Sequence, residues 1–272
     1  MIGERLRNRV STVDALHAVH AVGTGKMLRT RLAAHLLDEH AGDELVGRVV
    51  CACAATEVVH SASLLHDDVI DGGSVRRGRP ALWRDIGANG AVLLGDVLFC
   101  EALSLIGETK VPAYMHLFVE KVREVCVSEV SQELSLRGRV VDAERCLAVA
   151  RGKTGPLFSF SALVCAGGDA AKSEAFEEVG YQIGTAYQLM DDLLDERGSE
   201  ASAGKTLGTD RLRRKFTLAH GVSDPERGIG PHVERLVDSA IRRLEPWPAV
   251  QARLREYLAG GFDSVTSPEP SL

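Results

Sequence analysis

The 272-residue chain has no CxxC pair. Its six cysteines, Cys51, Cys53, Cys100, Cys126, Cys146 and Cys165, sit in apolar stretches, and Cys51 and Cys53 are too close for a useful bridge. They read as buried free thiols in a reducing compartment. No apolar run approaches the roughly 20 residues of a membrane span, so no transmembrane segment is expected. Any membrane contact would come through a lipid-like ligand. The first residues, "MIGERLRNRV", are charged and lack the apolar core of a signal peptide, and a cytoplasmic protein is expected. There is no basic excess: the formal net charge is −6, with both signs spread along the chain. That argues against a nucleic-acid binder, which would carry a basic face, but leaves room for a local basic pocket. The nucleotide P-loop pattern GxxxxGK[ST] is absent. Alternation with a period of two is nowhere sustained, which excludes an extensive sheet.

What the chain does have is helical periodicity almost throughout. Val46, Val50, Cys53, Glu57, His60, Leu64, Asp67 and Asp71 recur at steps of three and four and form one stripe. Gly72-Gly73 then stops the helix. The same pattern predicts helices near 25–40, 89–107, 112–137, 142–165, 171–196, 210–221, 231–244 and 248–259. With no domain boundary and no low-complexity tract, the chain reads as all-α. It is expected to form a single domain over 1–272, a bundle of about ten helices, with 263–272 a disordered tail.

One echo stands out. "LLHDDVID" at 64–71 and "QLMDDLLD" at 188–195 each place a DDxxD at the end of an apolar helix. The first and last aspartates of each copy are four apart and share a face: Asp67 with Asp71, and Asp191 with Asp195. A single copy also reads as a solvated acidic helix end, although acid there opposes the helix dipole. Two copies point to a site. Carboxylates on facing helices make an all-oxygen site, which suits Mg²⁺ held by a few carboxylates together with substrate phosphates. Such a site needs base nearby. Arg76 and Arg77 follow the first cluster, Lys26 and Arg29 lie in "GTGKMLRTRL", and Lys153, Lys205 and Lys215 lie in "RGKTGP", "GKTLGTD" and "RLRRKFTL". Lys153 and Lys205 sit at glycines, as phosphate-cradling loops often do. Glu57 and His60 form an ExxH pair, which di-iron bundles use, but the second pair such bundles need is absent. Gly184, a turn below Gln188, is expected to leave room for substrate.

These residues resemble the polyprenyl synthetase family, the trans-isoprenyl diphosphate synthases, over roughly residues 20–220. "GTGKMLRT" is similar to the family's GGKRxRP, and "EVVHSASLLHDDVIDGGSVRRGRPALW" to its first aspartate-rich region. "GDVLF", "KTGPLF", "GTAYQLMDDLLD" and "GKTLGTDRLRRKFTL" resemble GDxLx, KTAxLF, GxAFQxxDDxLD and GKxxGxDLxxGKxTL. Met27 stands where the family usually has Arg, Thr30 where it has Pro, and Tyr187 where it has Phe. The chain is also shorter than is usual after "FTLAHG", which suggests one or two missing C-terminal helices.

The resemblance implies the isoprenoid synthase type I fold, a helical bundle around a deep central cavity, and a homodimer. It implies a prenyltransferase that condenses isopentenyl diphosphate with an allylic diphosphate, head to tail. Lys26, Arg29, His60 and Arg77 would hold isopentenyl diphosphate. Arg76, Lys153, Thr154, Gln188, Lys205 and Lys215 would surround the allylic diphosphate. Asp67, Asp68, Asp71, Asp191, Asp192 and Asp195 would serve about three Mg²⁺ ions, with Asp67, Asp71, Asp191 and Asp195 as metal ligands and Lys153 and Lys205 assisting the leaving group. The residues four and five before the first cluster, Ser63 and Ala62, would form the floor of the tail cavity. Both are small, which implies a product longer than farnesyl. A non-catalytic subunit of a heteromeric synthase would lack aspartates or basic residues that are present here. A class I terpene cyclase would carry a different second metal sequence and no isopentenyl site.

Overall fold

The computed structural model describes residues 25–76, 78–197, 217–218 and 225–261. Among the described residues there are eight α-helices, fewer than the ten expected, and the helix expected near 210–221 falls almost wholly outside them. The helices are α1 (Leu28–Leu36), α2 (Asp43–Asp71), α3 (Trp83–Glu108), α4 (Pro112–Val130), α5 (Ala143–Leu163), α6 (Ala170–Arg197), α7 (Pro225–Arg243) and α8 (Pro248–Gly261). The only strands among the described residues are the two-residue pair β1 (Val75–Arg76) and β2 (Arg79–Pro80), which form a small antiparallel hairpin after α2.

Local chemistry accounts for the helix ends. Asp43 and Glu44 sit in the first turn of α2, where acid is favourable. The helix stops at Gly72, which is left-handed (φ 68°), and both Gly72 and Gly73 donate their N–H to the Asp68 carbonyl. This cap turns the chain into the β1–β2 hairpin and so brings Arg76 back over the aspartates. α3 breaks at Gly87, whose φ of 75° is not helical, which is why the pattern marked its start near 89. α4 opens on Pro112 and runs into a π-helical stretch, Ser131–Leu136. α5 opens on Asp142, whose side chain accepts from the Arg145 N–H at 2.8 Å.

One apolar core draws on all eight helices, from Leu32 of α1 to Leu258 of α8. α5 and α6 run closest together. A Cβ on Gly184 would stand 2.8 Å from the Gly155 Cα, and one on Gly180 would stand 2.4 Å from the Ser159 Cα. Gly184 therefore makes room for the α5 backbone rather than for substrate, which corrects the reading from sequence. A buried polar brace joins α4 to the same pair. Lys121 Nζ donates to Glu177 Oε1 at 2.5 Å and to the Tyr181 hydroxyl at 2.9 Å, and that hydroxyl donates to Glu124. Arg151 lies 4.1 Å from the Tyr181 ring centroid. Burial and the Glu124 bond push the Tyr181 hydroxyl up to about 12, so it stays a donor.

Two helices exceed what uninterrupted runs suggested. α2 and α3 are both long and apolar enough to cross a membrane by length and composition, a test that a buried core helix also passes. In α2, 67% of the apolar window is buried in the bundle; in α3 only 39% is.

Candidate active site

A cavity of about 190 Å³ opens between α1, α2, the hairpin, α4, α5 and α6. α2 presents His60, Ser63, Leu64, Asp67, Asp68 and Asp71 to it. α6 presents Gln188, Asp191, Asp192 and Asp195. The two aspartate clusters thus line one cavity, as the echo in the sequence predicted. Arg29, Arg76, Lys153 and Thr154 complete the polar wall, while Val75, Val125 and Leu157 add apolar surface.

The central aspartate of each cluster is held by a protein partner. Arg76 donates from Nε (3.0 Å) and Nη2 (2.6 Å) to Asp68 Oδ1, and Asp68 is only 3% exposed. Burial works against the Arg76 charge, but the Asp68 bond and the charges of Asp68, Asp67 and Asp191 outweigh it and raise its pKa further. Opposite, Thr154 donates to the Gln188 amide oxygen, and Gln188 Nε2 donates to Asp192 Oδ1 at 2.8 Å. That chain ties the "KT" of α5 to the second cluster across the glycine crossing. Asp67, Asp71, Asp191 and Asp195 line the same cavity, the first and last aspartates of each cluster standing four residues apart on one helix face.

Among the described residues no three His, Cys, Asp or Glu side chains converge tightly enough to cage an ion by themselves. This donor set fits Mg²⁺, which takes one or two carboxylates and shares the rest of its coordination with phosphate and water.

Arg29 is fixed from below. Its Nη1 lies 3.5 Å from Glu57 Oε2, and its guanidinium lies 5.2 Å from the Phe158 ring centroid. The Thr30 N–H and hydroxyl both donate to Glu57 Oε1, at 3.3 and 3.2 Å. Threonine here supplies an N–H that the family's usual proline lacks. The ExxH glutamate is therefore the partner of Arg29. α8 supports the same segment through the Tyr257 hydroxyl, which donates to the Leu28 carbonyl at 3.2 Å.

Not every expected residue arrives. Lys26 is half-buried just before α1 and is not on the cavity wall. Ala62 is fully buried in the core, and only its neighbour Ser63 reaches the cavity. Arg77, Lys205 and Lys215 lie outside the described residues. Sequence reasoning missed Glu129, which lines the cavity and pairs with Lys153 at 2.9 Å. Its signal was an acid continuing the apolar stripe Phe118–Val122–Val125.

The model of the family described as Polyprenyl synthetase matches residues 14–223. The chain belongs to the polyprenyl synthetase family. It is 32% identical over 231 residues to a geranylgeranyl diphosphate synthase of Mycobacterium tuberculosis, covering 79% of this chain and 65% of that protein. It is 30% identical over 217 residues to an octaprenyl diphosphate synthase of Haemophilus influenzae, with the same two coverages. The chain thus spans just under two thirds of the length of these relatives. Among solved structures, a polyprenyl synthase from Caulobacter crescentus, complexed with calcium and isoprenyl diphosphate, superposes with a TM-score of 0.79. The identity is 27%, over 98% of this chain and 94% of that one. In this family member the type I bundle stands as the resemblance implied, and the two aspartate clusters line one cavity.

Proposed function

We propose that the protein is a prenyltransferase that condenses isopentenyl diphosphate with an allylic diphosphate and releases a polyprenyl diphosphate longer than farnesyl. The observation that carries this reading is the facing of two DDxxD clusters across one cavity that also holds Arg29, His60, Arg76 and Lys153. The Caulobacter crescentus polyprenyl synthase, whose complex contains calcium and isoprenyl diphosphate, supports the substrate class. Asp67, Asp71, Asp191 and Asp195 would hold Mg²⁺, about three ions, which when bound neutralises the charge of the departing diphosphate.

The chain's own residues do the rest. Arg29 and His60, with Arg77, hold isopentenyl diphosphate. Arg76, Lys153, Thr154 and Gln188, with Lys205 and Lys215, orient the allylic diphosphate and stabilise it as the C–O bond breaks. Leu157 and Val125 keep water from the allylic cation, and Ser63 leaves space for the tail. The double bond of isopentenyl diphosphate attacks the cation, and the proton then lost passes to the released diphosphate.

A homodimer is part of the reading, supported by the apolar outer faces of α3 and α4. So is a cytoplasmic setting, supported by six free cysteines.

The test incubates the protein with Mg²⁺, isopentenyl diphosphate and each allylic primer in turn, followed by mass analysis of the dephosphorylated products. A ladder ending above fifteen carbons is expected. No turnover with any primer would overturn the reading. A cyclic product formed without isopentenyl diphosphate would replace it with a cyclase.

A further inference from the structure

Glu129 is a cavity carboxylate that belongs to neither aspartate cluster. It lies at the end of α4, two residues before the π-helical stretch Ser131–Leu136. Its Oε1 is 2.9 Å from Lys153 Nζ on α5. The two side chains are 27% and 26% exposed, so the pair borders the cavity and is not sealed in the core. Lysine is a compact charge on a flexible stem and can change partners by rotation about that stem.

We infer that Glu129 competes with diphosphate for Lys153. It holds the ammonium in place between turnovers, yields it to an incoming diphosphate, and takes it back as the product diphosphate departs. Glu129 is thus a positioning residue that keeps the affinity for released diphosphate low. The inference rests on the reading of the cavity as a diphosphate site. A partly exposed pair of this kind is weak enough for a multiply charged anion to displace, yet strong enough to matter at about the two- to five-fold level.

The experiment is calorimetric titration of inorganic diphosphate, in Mg²⁺ buffer, into the full-length protein and its variants. Glu129→Gln removes the charge and keeps the shape. It should tighten diphosphate binding about two- to five-fold, with product inhibition of the condensation reaction tightening in parallel. Glu129→Asp keeps the charge at shorter reach. It should give an intermediate affinity, and it serves alone if the Gln variant fails to fold. In a Lys153→Met background, Glu129→Gln should leave binding unchanged.

A merely structural Glu129 would loosen binding when replaced, so unchanged or weaker binding in both Glu129 variants overturns the inference. Equal tightening with and without Lys153 also overturns it, because plain repulsion between carboxylate and anion would then suffice. If the wild-type protein binds diphosphate in the expected order but condenses no primer, the proposed reaction fails and this inference stands.

Discussion

Ala62 and Ser63 are neighbours in the chain but about 100° apart around α2. Of the two, only Ser63, one turn below Asp67, lines the cavity. Ala62 turns into the packed core and is fully buried. The two positions should therefore respond differently to the same change. Ser63→Phe projects a ring into the space below the first aspartate cluster and should shorten the product by at least one isoprene unit, read by mass analysis. Ala62→Phe forces a ring into a filled core and should cost about 1–3 kcal/mol or more in urea unfolding. An unshortened product from a folded Ser63→Phe variant would remove Ser63 from the tail wall. Sequence spacing identified this helix face to within one residue, but the last step needed the orientation of α2 against its neighbours. The aspartates were legible because their i, i+4 spacing defines a face without any neighbour. Glu129 was not, because one acid on an apolar stripe has no internal partner to announce it.

At the scale of elements, the site depends on how closely α5 and α6 approach. Gly180 and Gly184 let the backbones touch, and the Thr154–Gln188–Asp192 chain spans the same crossing. A methyl at Gly180 would meet the Ser159 Cα, the Ser159 N and the Phe158 O at 2.4, 2.5 and 2.6 Å, all backbone atoms that cannot rotate away. Alanine gains about 1 kcal/mol over glycine in a helix interior, but here the helices must separate, at about 1–3 kcal/mol or more. Gly180→Ala should therefore destabilise the fold and lower kcat by pulling Gln188 away from Thr154. Gly47 of α2 is the control, since a Cβ there meets nothing within 4 Å. Gly47→Ala should stabilise by up to about 1 kcal/mol, measured by the same unfolding curve. If both glycines respond alike, the crossing does not set the geometry of the site. The helices themselves were legible from their apolar period, α3 from about residue 89 on. Which glycine faces another helix was not, since a close crossing is a property of two segments and the period belongs to one.

For the whole molecule, the outer face of α3 is the part the bundle leaves uncovered. Leu93 is 65% exposed, and Val92, Val97 and Leu103 are exposed alongside it at helical spacing. Val119, Val127 and Val130 are exposed apolar residues on α4. An exposed apolar helix face of this kind on a globular protein marks an interaction site. Lipid is a poor cover for it, because Asp96, 61% exposed, stands within the α3 face. A carboxylate in hydrocarbon costs about 2.5–3.5 kcal/mol, whereas at a protein interface it can find a donor. His66 Nε2, 3.6 Å away on α2, already lies close to it. A second copy of the chain fits better, since one apolar stripe laid against its twin about a two-fold axis covers both at once. Light scattering coupled to size exclusion should then give twice the chain mass for the wild type. Leu93→Glu with Val97→Glu should give the single-chain mass, with helicity by circular dichroism unchanged. These residues lie away from the cavity, so loss of activity on dissociation would show that the assembled pair holds α3, and through it α2, in place. A wild type that runs as a monomer would mean that something other than a second copy covers this face.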